Sequence, residues 1–450
     1  MDDLNELPLG WIRSDVESLF DSFSGGTPSK SIASFWNGSI PWVSSGDVKA
    51  ATIDGVKSEK ITEEGLRNSS AKLCNVGAVI IVVRSGVLKH TLPVAIATNK
   101  VAINQDIKCF DSGNASLNKW LSLSLRNETR QILELNREGT TVQSVKYETL
   151  KAHGLKIPPL NEQKRIVEKL EKLLGKVEAA QERLDKIPVI LKRFRQSVLA
   201  AACSGKLTTD WRESKEINLE TELPTDWTVE SVGSVIEDLK YGTSQKCGLE
   251  VKGVPVLRIP NIGEWFVDKT NLKYAVLPSK EFNQLKLAEG DILLIRSNGS
   301  VSLVGKTAIV RHSEKEFAYA GYLIRLRPDT EIIYPEFFNY VLGSYDVRVQ
   351  IEIPARSTSG VNNINSTEVK ALLIPLPPLD EQKEIVRRVD ELFKFADQIE
   401  ERYKKARSYT DKLAQSILAK AFRGELVPQD PNDEPASKLL ANTGSSEQTQ

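Results

Sequence analysis

The chain has 450 residues, and Lys+Arg and Asp+Glu are 60 each, so its net charge is zero. That length implies two to four domains with an ample core, and the neutral balance argues against indiscriminate coating of nucleic acid while leaving room for local basic patches. The longest apolar run, residues 76–83, is far short of the roughly 18 residues of a membrane span, and Cys74, Cys109, Cys203 and Cys247 lack CxxC spacing. With the acidic start MDDLNEL, which does not read as a secretory leader, these features predict a cytoplasmic protein with free thiols and no membrane contact.

In chain order, residues 1–157 read as a first globular domain. Ile40-Pro41-Trp42-Val43 reads as a strand, followed by the polar loop Ser44-Ser45-Gly46-Asp47. Gly77-Ala78-Val79-Ile80 opens a second strand, which ends at Arg84-Ser85-Gly86. A helical stretch and the turn Gly139-Thr140-Thr141 complete the segment. Short strands alternating with one or two helices predict a compact α+β domain.

Residues 158–207 form a long helical region. Apolar residues fall at Ile166, Leu170, Leu173, Val177, Ala180, Leu184 and Ile187, in steps of four and three, which is the seam of a coiled coil. Asn161 is the expected N-cap, Pro188 the expected kink and Gly205 the expected C-cap. A polar linker, residues 208–222, leads to a second globular segment, 223–376. Its landmarks repeat those of the first. Leu223-Pro224-Thr225-Asp226-Trp227 echoes Leu7-Pro8-Leu9-Gly10-Trp11, and Gly242-Thr243 echoes Gly26-Thr27. Val254-Pro255-Val256-Leu257 reads as a strand before the loop from Arg258 to Asn261. Another strand opens at Gly290 and ends at Arg296-Ser297-Asn298-Gly299, and Thr358-Ser359-Gly360 forms the closing turn.

Residues 377–426 repeat the helical region without a gap. Leu160 matches Leu379 and Gln196 matches Gln415, both 219 residues apart. The second seam is Ile385, Val389, Leu392, Ala396, Ile399, Tyr403 and Ala406, with Asp380 and Gly424 as caps. The tail, 427–450, is rich in Pro, Asp and Ser and is expected to be mobile or merely tethered. The chain is therefore two copies of one unit. Helix one delivers the chain to the second domain and helix two starts there, so a compact pair must run antiparallel. The expected architecture is α+β, with two tandem globular domains separated by two long helices packed as an antiparallel coiled coil with pseudo-two-fold symmetry. At roughly 40 residues each helix would span about 60 Å. The alternative is ordinary amphipathic helices, each buried against its own domain.

Residues carrying chemistry are sparse. Gly299 to Thr307, GSVSLVGKT, has five residues between its glycines where a phosphate-binding loop needs four, and it reads as strand-turn-strand. His90, His153 and His312 are scattered, without metal-ligand spacing. No active site is expected. What remains are loops rich in groups that read bases and hold phosphates. The candidates for DNA contact are Ser45, Asp47, Arg84, Ser85, Lys89, Thr140 and Gln143 in the first segment. In the second they are Arg258, Asn261, Arg296, Asn298, Ser300, Lys306, Asn362 and Asn363. Each of these is equally readable as a solvated turn former.

PPLNEQKRIVEKL, LKRFRQSVLAAACSGKLT, PPLDEQKEIVRRVDELF and QSILAKAFRGELVPQDPNDEPAS resemble the specificity subunit of type I restriction-modification enzymes. The resemblance covers nearly the whole chain; the globular segments share only the family's plan. It implies two target-recognition domains, each reading one half of a split asymmetric site in double-stranded DNA. The coiled coil would set the gap between the halves. It further implies two docked methylation subunits and two restriction/translocation subunits. S-adenosylmethionine, ATP and Mg2+ would belong to those partners, with no cofactor or metal on this chain. Helix positions expected to face partners are Gln163, Arg165, Arg193, Gln196, Gln382, Arg387, Gln415 and Arg423. The basic face Lys164, Arg165, Lys169, Lys172 and Lys176 suits DNA, a partner or solvent equally. A non-catalytic protein-interaction scaffold and a self-sufficient nuclease are the competing readings. The nuclease would need the catalytic constellation that the sequence lacks.

Overall fold

The computed structural model describes residues 7–136, 144–213, 216–218, 220, 222–314, 316–355 and 362–438. Thr140, Gln143 and both Gly/Ser/Thr turns lie outside them. The chain divides into two compact units, residues 1–184 with 405–450, and residues 185–404. Among the described residues no helix is long and apolar enough to cross a membrane.

The first unit is built on two sheets. A five-stranded sheet runs in the order Asp21–Ser24, Ile107–Asp111, Val79–Val82, Val94–Ala97, Thr52–Ile53. Val79, Ile80, Ile81 and Val82 are all fully buried, as the unbroken apolar run predicts for a strand covered on both faces. A four-stranded sheet pairs Trp36–Val43 with Glu59–Ile61 on one side and Val101–Ile103, flanked by Lys72–Cys74, on the other. The strand Ile12–Asp15 pairs antiparallel with Gly154–Ile157, from Ile12 opposite Ile157 to Asp15 opposite Gly154. This pairing ties the entry of the domain to its exit, directly before the first long helix.

The second unit repeats the scheme. Its four-stranded sheet runs Ile236–Tyr241, Leu323–Pro328, Ile292–Ile295, Thr307–Ile309. A three-stranded sheet pairs Val254–Leu257 antiparallel with Lys273–Ala275 and parallel with Ala318–Tyr319. Thr228–Ser231 pairs with Leu373–Leu376, again joining entry to exit. Residues 300–304, expected to be a strand, instead form a 3-10 turn at Val301–Leu303 before the strand at Thr307. Gly305, at φ +79°, makes the reversal between them.

The helical regions behave as the heptads require, with two corrections. The first is broken, Leu160–Leu184 and then Ile187–Cys203, with Pro188 in the opening turn of the second piece. Proline has no N–H to continue the ladder. The repeat, Leu379–Phe422, is continuous over 44 residues. Asn161 and Asp380 are not N-caps, because each helix begins one residue earlier. Gln163 N–H bonds Pro159 O at 2.8 Å and Gln382 N–H bonds Pro378 O at 3.0 Å, which closes the first turn over the proline pair. All fourteen seam residues are buried or half-buried. Within each unit the paired helical segments run antiparallel. Gln181 donates to Asp411 at 2.8 Å in the first unit, and Arg195 donates to Asp397 at 2.6 Å and Glu400 at 3.0 Å in the second. Gly205 and Gly424 both sit at φ +73° just past their helices, as C-terminal stops.

The tail is not merely tethered. Val427 and Ala436 are buried in the first unit, Ala436 N–H bonds Gly10 O at 2.9 Å, and Asp433 takes a bidentate contact from Arg165 at 2.6 and 3.3 Å.

Candidate nucleic-acid interface

In each unit one rim collects the ends of several strands. In the first, Trp36–Val43 and Val101–Ile103 run parallel and release the chain side by side, so that Asn104 N–H bonds Val43 O at 3.1 Å. The loop from Asn104 to Asp106 then meets the end of Val79–Val82, where Val83 N–H and Arg84 N–H bond Asp106 O at 2.8 and 3.3 Å. Gly26 N–H bonds Ile103 O at 3.0 Å, bringing the loop after Asp21–Ser24 to the same place. Thr27 Oγ1 donates to Gln105 Oε1 there, at 2.6 Å. Ser144 arrives by a bridge to Arg84.

The second unit builds the same rim from different side chains. Ala320 N–H bonds Leu257 O at 2.9 Å, Arg296 N–H bonds Tyr322 O at 3.0 Å and Thr243 N–H bonds Tyr319 O at 2.8 Å. Ser297 and Asn298 pair with Asn363 and Asn362. Bond by bond, Val83 corresponds to Arg296, Arg84 to Ser297 and Gly25 to Gly242. A Cβ on Gly25 would lie 1.9 Å from Ile103 O, and one on Gly242 2.3 Å from Tyr319 O, so only glycine permits either crossing.

The rim sorts the candidate residues. In the first unit Arg84 and Lys89 are exposed cations, with Arg84 3.8 Å from Asp106. Lys108, stacked on Tyr147 at 4.6 Å, is held below the usual lysine range by burial and then by the Arg84 charge. Ser45 is half-buried inside the turn that Asp47 closes, where Asp47 Oδ2 accepts from Ser44 N at 2.8 Å and Oγ at 2.7 Å. Ser85 Oγ accepts from Val87 N at 3.4 Å, starting the short helix Gly86–Lys89.

In the second unit Arg296, Asn298, Ser300, Asn362 and Asn363 come together. Asn362 Nδ2 donates to Gly299 O at 3.0 Å, and Ser300 N–H bonds Asn298 Oδ1 at 2.8 Å. Three other candidates are committed elsewhere. Asn261 is fully buried, accepting from Arg258 N at 3.0 Å and donating to Asp268 O and Thr270 O at 2.9 and 3.0 Å; it staples a loop and is closed to DNA. Arg258 spends Nη2 on Asn271 O at 2.6 Å. Lys306 donates to Ile262 O at 2.9 Å, and burial lowers its pKa from the usual lysine value. Two rim residues were not anticipated from sequence. Tyr322 is 62% exposed and Tyr241 38%. Each tyrosine adjoins the rim glycines in Tyr241-Gly242-Thr243 or Gly321-Tyr322, an aromatic-glycine pairing at a strand end that was the available signal.

The helix candidates divide as well. Gln163 and Gln382 are fully buried and face no partner. Gln382 braces its own domain through Tyr334 N, Ile332 O and Pro377 O at 2.7, 3.1 and 2.9 Å. Arg165 is engaged with Asp433, Arg387 with Glu384 and Glu391, and Arg423 with Glu425. Arg193, Gln196 and Gln415 are exposed.

Two stretches of the chain, residues 8–189 and 224–406, match the model of the type I restriction modification DNA specificity domain. The chain belongs to that family. It is 39% identical over 291 residues to the StySPI specificity subunit of Salmonella potsdam, and 36% identical over 299 residues to the EcoKI specificity subunit of Escherichia coli K12. Each alignment covers 65% of this chain and 61% of the relative's length. The HsdS subunit from Thermoanaerobacter tengcongensis shares the fold, with a TM-score of 0.53 at 21% identity over 94% of this chain and 99% of that one. A chain from a type I R-M system, solved to show its complex assembly and conformational transition, aligns with a TM-score of 0.67. Its identity is 20%, over 94% of this chain and all of that one. Both matched stretches begin just before the tryptophan that precedes the entry strand and run on into a long helix, so the family unit comprises a globular domain together with its helix.

Proposed function

We propose that this family member is the non-catalytic, DNA-reading subunit of a type I restriction-modification complex. Each globular domain takes one half of a bipartite, asymmetric site in double-stranded DNA, and the helical regions set the gap between halves and dock the methylation subunits. S-adenosylmethionine, ATP and Mg2+ act on the partner subunits. One observation carries this reading: the two units keep the same rim backbone, bond for bond, while nearly every side chain on it differs. A fixed frame with exchanged polar side chains is what two readers of different base sequences require. Arg193 and Gln196 in the second unit and Gln415 in the first are the exposed helix positions proposed for partner docking.

Co-expression with a methylation subunit, followed by sequencing of adenine methylation in host DNA, tests the reading. A split motif with a fixed gap is expected. Exchange of residues 223–375 for those of a relative is expected to change one half and leave the other. A stable complex that leaves DNA unmethylated would favour the protein-interaction scaffold instead.

A further inference from the structure

Each unit carries an arginine on its rim, at points one residue apart in register, and the two are held differently. Arg84 is an exposed cation whose recorded partner is the Asp106 carboxylate at 3.8 Å. Arg296 lies on the face of Tyr241, its guanidinium carbon 4.6 Å from the ring centroid. Its Nε donates to Asn363 Oδ1 at 3.3 Å. Its backbone is pinned on both sides, by Tyr322 O at 3.0 Å and Ile364 N at 2.9 Å. The shelf is fixed too, because the Tyr241 hydroxyl accepts from Ser366 N at 2.8 Å. Asn363 is fixed by its strand pairing with Ser297.

The root, the Nε and the plane of this guanidinium are therefore set before any ligand arrives. Nη1 and Nη2 remain without partners among the described residues. Two parallel donors in a fixed plane match the O6 and N7 acceptors of guanine in the major groove, whereas adenine offers one acceptor and one donor there. Stacking on a ring holds the plane, which a contact to a freely oriented phosphate does not need. The two neighbours add polar groups of the kind that line base edges, Asn298 and Asn362, on the adjoining strand pair.

We propose that Arg296, stacked on Tyr241 and tied through Nε to Asn363, reads a guanine end-on in the half-site taken by the second unit. Tyr241 is a positioning residue for that contact. Arg84, one residue further along the corresponding rim and without a shelf, holds a phosphate. This inference rests on the DNA-reading function proposed above.

The test uses the full chain co-purified with its methylation subunit and a pool of randomised DNA duplexes, selected by binding and sequenced. The intact protein is expected to select a split motif with an invariant guanine in one half. Arg296→Gln is expected to lower the preference for that base roughly ten- to hundred-fold and to leave the other half unchanged. Tyr241→Leu is expected to weaken the same preference, while Tyr241→Phe, which keeps the ring, retains it. Arg84→Gln is expected to weaken binding across all sequences with no change of motif. Thermal melts equal to the parent's confirm that each variant folds. An unchanged motif in a folded Arg296→Gln variant, or a loss of affinity spread evenly over all sequences, overturns the guanine assignment. Failure of the parent complex to select any sequence overturns the DNA-reading function itself, and the two failures are told apart by the parent alone.

Discussion

A tryptophan just before the entry strand donates to a buried glutamate in both units, and the two glutamates have different surroundings. Trp11 Nε1 bonds Glu162 Oε2 at 3.0 Å, and Trp227 Nε1 bonds Glu381 Oε2 at 2.9 Å. The other oxygen of Glu381 takes Arg212 Nη1 at 2.7 Å and Thr208 Oγ1 at 2.6 Å. The corresponding oxygen of Glu162 is buried without a partner among the described residues. Burial is the main reason that Glu162 is raised above its ordinary pKa of 4.5, with the Trp11 bond and the Arg165 charge opposing it. Ionisation of Glu162 therefore opposes folding. Its cost appears as pH rises past 4.5 towards the raised value and persists above it. Glu162→Gln is expected to be neutral or to stabilise the first unit by up to about 1 kcal/mol at pH 7, an advantage that shrinks towards pH 4.5. Glu381→Gln strands the Arg212 guanidinium in the interior and is expected to cost the second unit about 3 kcal/mol. Urea unfolding at two pH values, read by tryptophan fluorescence, checks both. An equal response of the two variants would show that the cation is irrelevant.

At the scale of elements, the first turns of the Leu379–Phe422 helix carry an ion-pair cluster. Glu384 accepts from Arg387 Nε at 2.8 Å and Arg388 Nε at 2.6 Å, and these bonds hold its pKa at about 2. Arg388 also reaches Asp210 at 2.6 Å, clamping the segment after the first helical region onto this helix. A depressed carboxylate stabilises the fold above its ordinary pKa of 4.5 and loses that contribution as pH falls from 4.5 towards 2. Glu384→Gln is expected to flatten the acid limb of second-unit stability over that window. The cost at neutral pH is about 1 kcal/mol, since solvent screens much of the cluster; acid titration of the melting temperature measures it. The heptads, the break at Pro188 and the glycine stops were legible because each depends on local spacing or on one residue's backbone chemistry. The N-caps were not, since Pro159 O and Pro378 O close the first turns over carbonyls that no side-chain pattern announces. Gln163 and Gln382 were expected to face partners from the family resemblance; each stands three residues before its seam begins at Ile166 or Ile385, and the globular domain that buries it is invisible to helix periodicity. On the rim, Arg258 and Arg296 look alike as loop arginines, and only the tertiary neighbours Asn271 and Tyr241 separate a loop staple from a guanidinium laid on a ring. Gly242 was legible as a repeated glycine, but the ungapped repeat sets it against Gly26 whereas the strand bonds set it against Gly25; the reason for the glycine, an approach that leaves a Cβ 2.3 Å from Tyr319 O, belongs to strand pairing across 77 residues. Gly242→Ala is expected to cost about 2 kcal/mol or more and to displace Tyr241 from under Arg296. The second effect is read as lost base selectivity in excess of lost stability.

For the whole molecule, membership of a unit does not follow chain order. The second unit is one continuous segment, 185–404, whereas the first needs residues 405–450 as well as 1–184. The closing pieces are specific. Phe422 packs on Trp120 with ring centroids 4.7 Å apart, Val427 joins the same cluster as Trp11, and Gly424 passes so close to Pro8 that a Cβ would lie 2.7 Å from its ring. Beyond them Ala436 is fully buried beside the Ile12–Asp15 strand's cluster, and Asp433 lies under Arg165, which holds its carboxyl below the usual range. In the second unit the corresponding strap is the segment after Gly205, which supplies Thr208 and Arg212 and is anchored at both ends by covalent continuity. Removal of residues 428–450 is therefore expected to destabilise the first unit alone, by about 2 kcal/mol, through loss of the Ala436 contacts and the Arg165–Asp433 pair. Asp433→Asn is expected to take about a third of that, because the pair is half open to solvent on the arginine side. Hydrogen exchange resolves the units: the amides of Ile12–Asp15 and Gly154–Ile157 should exchange faster in the truncated chain, and those of Thr228–Ser231 and Leu373–Leu376 should not change. Equal acceleration in both strand pairs would mean that the two units unfold as one cooperative body and that the strap stabilises the molecule as a whole.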